Sequence, residues 1–142
     1  MKYDQLLASG RIRKARVSRR EIEQAMKRSA RDLKLARRIM AEDWDWGFAV
    51  TYNAVLQASR ACMFSEGYRP ASAEGHKNTF AFMRVALGKE YEDLITYFDR
   101  MRNKRNQALY DVAGMISETE ARNLYAKATE FVSLMRKKLG TP

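Results

Sequence analysis

Apolar residues recur along this chain at alternating three- and four-residue steps, and nowhere do they alternate in twos between hairpin turns. That period puts them on one face of successive helices, and such faces are buried by packing helix on helix. Ser18 followed by Glu21 forms a capping box, after which Ile22, Met26, Ser29, Leu33, Ala36 and Met40 share a face, predicting a helix over 19–41. After the break at Glu42-Asp-Trp-Asp45, the set Ala49, Tyr52, Leu56, Ser59 and Met63 repeats the pattern, widened by Val55 and Cys62. It stops near Gly67, and Pro70 prevents easy continuation.

A shorter third helix starts after Ser72 and carries His76, Phe80, Met83 and Leu87 up to Gly88. A fourth begins near Glu90, with Leu94, Phe98, Met101, Arg105 and Ala108 in register, and Gly114 marks its end. Ser117 and Glu120 form a second capping box, and Leu124, Ala128, Phe131 and Met135 carry the last helix to about Leu139. The expected fold is an all-α, up-down bundle of four to five helices over 18–142. Residues 1–17 fit this scheme least: a short helix over 3–8, then Ser9-Gly10 and a flexible basic arm with Arg11, Arg13, Lys14 and Arg16.

With 142 residues the chain is the size of one domain. Its single Cys cannot form an intrachain disulfide, and neither a membrane-spanning apolar run nor a cleavable signal pattern is present, so the expected location is cytoplasmic. One His and one Cys supply no ordinary zinc site, and no catalytic triad unless His76 serves it.

The net charge of +10 is uneven. Residues 1–38 hold thirteen Lys/Arg against four Asp/Glu, residues 39–99 are net acidic, and Arg100, Arg102, Lys104 and Arg105 form a second basic patch. Such a balance suits a polyanionic partner, nucleic acid or an acidic protein face, as well as a merely solvated surface. The arm, continuing through Arg19 and Arg20, reads either as a phosphate-tracking or partner-docking element or as an exposed leader.

The fourth helix breaks its own apolar pattern at Arg105, where packing alone would place an aliphatic side chain. Arginine cannot shed its charge, so there it needs an acid, a set of carbonyls or a phosphate. Arg102, Asn106 and Tyr110 follow at four-residue spacing, which groups them with Arg105 as one polar cluster.

The segment Arg100-Met-Arg-Asn-Lys-Arg-Asn-Gln-Ala-Leu-Tyr-Asp111 resembles the signature of HEPN domains, small helical bundles of prokaryotic toxin–antitoxin modules and RNA-processing proteins. That pattern is an Arg, a polar residue, three variable residues and a His; Arg105-Asn106 match its start, and Tyr110 stands where the His would be. The resemblance extends to Asp45-Trp46, Tyr52-Asn53-Ala54, the Glu66-to-Pro70 turn and Glu74-Gly75-His76, and covers about 19–139. It implies a metal-independent, cofactor-free ribonuclease site at a homodimer interface. There the RNA 2′-OH attacks the adjacent phosphate while Arg105 stabilises the charge that develops and Asn106 orients it.

The resemblance also implies a nucleotidyltransferase-type antitoxin partner, with Tyr110 as a hydrogen-bond donor or as the hydroxyl that partner modifies. Arg100, Arg102, Lys104 and His76 are the phosphate-binding candidates. A tyrosine is a poor general base at neutral pH, which keeps a second reading open: a non-catalytic RNA- or nucleotide-binding adaptor. A purely structural interaction module, with Arg105 paired to an acid across the bundle or dimer, is the third.

Two further groups have two readings each. His76 is either a proton-transfer group or substrate contact joining the Arg105 cluster in space, or a ring packed at a helix start. Glu42, Asp43 and Asp45 resemble a metal cluster but are more simply acids at the positive end of a helix. Trp44, Trp46 and Tyr52 are expected to pack between helices.

Overall fold

The computed structural model describes residues 1–71, 74–110 and 113–142. Ser72, read as the start signal of the third helix, and Asp111, which closes the Arg100-to-Asp111 segment, lie outside the described residues. In chain order the elements are α1 (Asp4–Ala8), β1 (Ile12–Lys14), α2 (Arg19–Met40), α3 (Trp44–Ser65), β2 (Tyr68–Pro70), α4 (Gly75–Leu87), a 3₁₀ turn (Lys89–Tyr91), α5 (Glu92–Tyr110) and α6 (Glu118–Leu139). The five longer helices are those the periodicity predicts, and the architecture is an all-α helical bundle.

The capping signals fix the helix starts. Ser117 Oγ accepts from Glu120 N–H while the Glu120 carboxylate accepts from Ser117 N–H, a complete box that opens α6. At α2 only the first half forms: Ser18 Oγ accepts from Glu21 N–H (3.1 Å), and the Glu21 carboxylate instead accepts from Arg69 of β2 (2.5 Å). Helix α6 ends on Gly140 in the left-handed conformation, and Arg19 donates to the carbonyls of Leu139 (2.7 Å) and Gly140 (2.9 Å). Arg19 is thus a cap for α6, satisfying carbonyls that the helix leaves open.

Helix α3 is the centre of the bundle, in contact with α2, α4, α5 and α6. The periodicity predicts a one-sided stripe there, but Phe48, Tyr52, Val55, Leu56, Ala58, Ala61, Cys62 and Met63 are buried around much of its circumference. A helix surrounded by neighbours needs no polar face, and Asp45 and Arg60 are the charged residues within α3. The most extensive contact is with α2, where Ser29 Oγ donates to the Ala54 carbonyl (2.7 Å).

The turn between α2 and α3 depends on Gly47. A Cβ there would lie 2.2 Å from Met40 Cγ and 3.0 Å from Met40 Cα. In an open helix Gly→Ala adds about 1 kcal/mol of helix propensity; here overpacking outweighs it. Gly47→Ala should lose about 1–3 kcal/mol, seen as a lower urea midpoint with unchanged slope. A variant as stable as the parent would contradict the close approach.

Two expectations need correction. Among the described residues there is a small antiparallel ladder, with Ile12 opposite Pro70, Arg13 opposite Arg69 and Lys14 opposite Tyr68. Three-residue strands are too short to display alternation, and their pairing joins segments far apart in sequence. The short helix expected over 3–8 is present as α1, but the arm after it, expected to be flexible, is tied down through β1. Tyr3, Leu6 and Ile12 are buried, and Tyr3 stacks on Phe82 with centroids 4.5 Å apart. The charged residues of the segment, Arg11, Arg13, Lys14 and Arg16, stay exposed.

Candidate functional site

Helix α5 is buried only along its first half, at Ile95 and Phe98. Beyond Met101 it has less core to cover, and there Arg102 and Arg105 sit half-buried while Asn106 is exposed. Together with the start of α4, at Glu74, Gly75 and His76, these three residues line a recess of about 280 Å³. His76, distant in sequence, therefore belongs with the arginine cluster.

Two of these lining residues, His76 and Arg105, contact the buried Tyr52 of α3. Its hydroxyl is 3.2 Å from His76 Nδ1, and the Arg105 guanidinium lies over its ring, Cζ 5.5 Å from the centroid. Arg105 Nη1 also donates to Asn106 Oδ1 (3.1 Å), which leaves the Asn106 amide nitrogen to donate outward. Among the described residues Arg105 has no ion pair, so no described acid of the bundle matches its charge. Arg102 is held differently: Asp99 accepts from its Nε (3.1 Å) and also pairs with Arg84 (3.5 Å), which fixes Arg102 beside the recess.

These surroundings set the protonation states. Burial, and then Arg60, Arg105 and Arg102, push His76 down to about 4, so its imidazole is neutral in neutral solution. Burial raises the Tyr52 hydroxyl, against the opposing pull of Arg105 and Arg102, and it stays protonated. When His76 Nδ1–H donates to the Tyr52 oxygen, Nε2 is left with a free lone pair. The recess then holds Arg102, Lys77 and Arg105, the last without an ion pair among the described residues, against one carboxylate, that of Glu74. Together with an amide donor and a neutral base this is a net cationic set, suited to an anion that must lose a proton beside it.

The remaining predicted residues lie elsewhere. Spacing groups Tyr110 with Arg102, Arg105 and Asn106, but it is 75% exposed and lines a separate hollow with Asp43, Asp45 and Trp46. Each four-residue step on a helix turns about 40°, so two steps carry the side chain well away from Arg102. Lys104 forms an ion pair with Glu120 of α6 and faces that helix. Arg100 is exposed.

The acids at the start of α3 have structural duties. Asp43 caps the helix by accepting from Trp46 N–H (2.9 Å), and Asp45 accepts from the N–H groups of Gly114 (2.6 Å) and Ile116 (3.0 Å), anchoring the approach to α6. Among the described residues no group of three or more His, Cys, Asp or Glu is placed to hold a metal ion, and no helix is long and apolar enough to cross a membrane.

Sequence reasoning missed the contact of Tyr52 with His76 and Arg105. Tyr52 reads from sequence as packing, and its ring is indeed buried; only its hydroxyl carries the contact to His76.

An all-α bundle that carries Arg105-Asn106 on its long α5 agrees with the fold expected of a HEPN domain. The HEPN domain family model matches residues 22–138, most of the chain, and the chain belongs to that family. No curated protein matches it.

Proposed function

We propose that this HEPN domain is a metal-independent endoribonuclease, the toxin component of a toxin–antitoxin-like module. The observation that carries the reading is the juxtaposition of neutral His76 with Arg105, which has no ion-pair partner among the described residues, in one recess. The RNA phosphate binds Arg105 and Arg102, and the Asn106 amide donates to a non-bridging oxygen. His76 Nε2 accepts the 2′-OH proton as the O2′–P bond forms. The P–O5′ bond then breaks, and O5′ takes a proton from solvent, leaving a 2′,3′-cyclic phosphate and a 5′-hydroxyl. The bound phosphate offsets the charge of the arginines that hold His76 down, so its basicity rises as substrate arrives.

In this reading His76, not Tyr110, supplies the proton acceptor. The test is incubation of the purified chain with single-stranded RNA in excess chelator, with the product ends identified. Cleavage leaving cyclic phosphate supports the reading, and RNA bound but left intact supports the non-catalytic adaptor.

The regulatory part of the proposal assigns Tyr110 as the hydroxyl modified by a nucleotidyltransferase antitoxin, and two copies of the chain pairing through their α5 helices. Its support is exposure: Tyr110 and Trp46 are the large aromatics left open at one hollow, accessible to another protein. Tyr110→Phe should block transfer of labelled nucleotide by the partner while leaving the circular dichroism spectrum unchanged. Undiminished labelling would remove Tyr110 from this role.

A further inference from the structure

A second basic cleft has in its wall Arg60, which lies close to Gly75 of the His76 recess. It measures about 380 Å³ and is walled by Arg20 and Arg28 from α2, Arg60 and Phe64 from α3, and Arg69 from β2. Four guanidiniums face it against one carboxylate, that of Glu21, already engaged by Arg69. Arg69 lies over the Phe64 ring, Cζ 4.7 Å from its centroid.

Arg60 is the unusual member. It is half-buried, burial lowers its proton affinity, and among the described residues it has no hydrogen bond or ion pair. An arginine stays charged even when partly desolvated, so a guanidinium held this way lacks the anion its geometry suits. Arg60 also lies next to the recess: its Nη2 is 3.9 Å from where a Cβ on Gly75 would be, and Gly75 lines the recess of His76 and Arg105.

We infer that this cleft is a second phosphate site, which holds the backbone of a single-stranded RNA next to the phosphate bound at Arg105. The inference rests on the ribonuclease reading and extends it. Continuity through Arg60 favours a strand over an isolated anion, because a polymer with a charge on every residue can occupy both places at once. The Arg69 guanidinium, backed by the Phe64 ring, adds a planar surface of the kind on which bases stack, and Gln24 and Gln57 add amide donors. Arg20, read from sequence as part of a basic arm, thereby gains a specific place on the path of the strand.

The test measures binding of an uncleavable, 2′-O-methylated single strand of about 12 nucleotides, long enough to span both sites, by fluorescence anisotropy over a range of salt. A dinucleotide probe, which reaches only one site, is the comparison. Arg20 and Arg28 are exposed, so the double variant R20A/R28A keeps the fold, and R60Q serves as a second probe of the cleft.

Both should weaken binding of the long strand, R20A/R28A by about tenfold with a salt slope smaller by about 1.4, close to 0.7 for each phosphate that is no longer neutralised. Dinucleotide binding should be unchanged in R20A/R28A and weakened in Arg105→Ala. If R20A/R28A and R60Q leave long-strand affinity and slope unchanged while Arg105→Ala weakens both probes, the cleft inference is overturned and the ribonuclease reading stands. If the cleft variants weaken binding but Arg105→Ala alters neither binding nor cleavage, the ribonuclease reading fails and the cleft remains an RNA site. Loss of polyglutamate binding in R20A/R28A with RNA binding intact would assign the cleft to an acidic protein and overturn the inference.

Discussion

Arg105→Ala is expected to lower RNA cleavage by about 10²–10³-fold, the loss typical of removing one donor aimed at developing transition-state charge. The fold should survive. Arg105 has no ion pair among the described residues, so its removal strands no described carboxylate, and its hydrogen-bond and ring contacts there are with the Asn106 amide and the Tyr52 ring. Arg105→Lys should fare little better, because an ammonium cannot present two parallel N–H bonds to a phosphate or lie flat on Tyr52. The same alanine variant has a readout independent of catalysis. Arg105 is one of the charges holding His76 low, so its loss should move the imidazole titration upward from about 4, measurable by NMR. An unmoved titration would place the two side chains in separate environments and contradict the recess.

The second large effect is expected at His76. His76→Gln should reduce the cleavage rate by about 10²–10⁴-fold, the usual worth of a positioned general base, while leaving the affinity for uncleavable RNA close to the parent value. His76 also links stability to pH. The unfolded imidazole takes a proton below about 6.5, the folded one only near 4, so between these values the unfolded chain binds more protons and folding weakens as pH falls. The contribution is fully present above pH 6.5 and is lost as pH falls to about 4. Because the ring is only half-buried and partly screened by solvent, it amounts to about 1–2 kcal/mol. In His76→Gln, urea midpoints measured across that window should show a correspondingly shallower decline. Equal declines in parent and variant would mean that His76 is not held neutral by its surroundings.

The helices were legible because each has local cause: caps at Ser18 and Ser117, stops at Gly67 and Gly88, and a 3.6-residue stripe between them. What sequence hid was set by contacts distant along the chain. The β1–β2 ladder depends on Ile12 meeting Pro70, and no local pattern announces such a pairing. The burial of Tyr3 and Leu6 follows from docking against the bundle, whereas their neighbours Arg11 and Arg13 suggested a free arm.

The candidate site divides the same way. Arg105 was legible as a charge on an apolar stripe, and Asn106 as its neighbour. The place of His76 depends on how α4 folds back over α3 and α5, which spacing cannot reveal. Tyr110 departs from its sequence neighbours because the helix keeps turning: Arg102 and Asn106 line the recess, and Tyr110 has rotated into the hollow beside Trp46.

The central claim is that one recess on this bundle cuts RNA with its own side chains. The most direct measurement is the chemistry of the ends formed when the purified chain acts on single-stranded RNA in excess chelator. The expected products are fragments ending in 2′,3′-cyclic phosphate and 5′-hydroxyl, in amounts that collapse in Arg105→Ala and His76→Gln. Intact RNA with the folded parent protein, or cleavage that both variants retain, would contradict it.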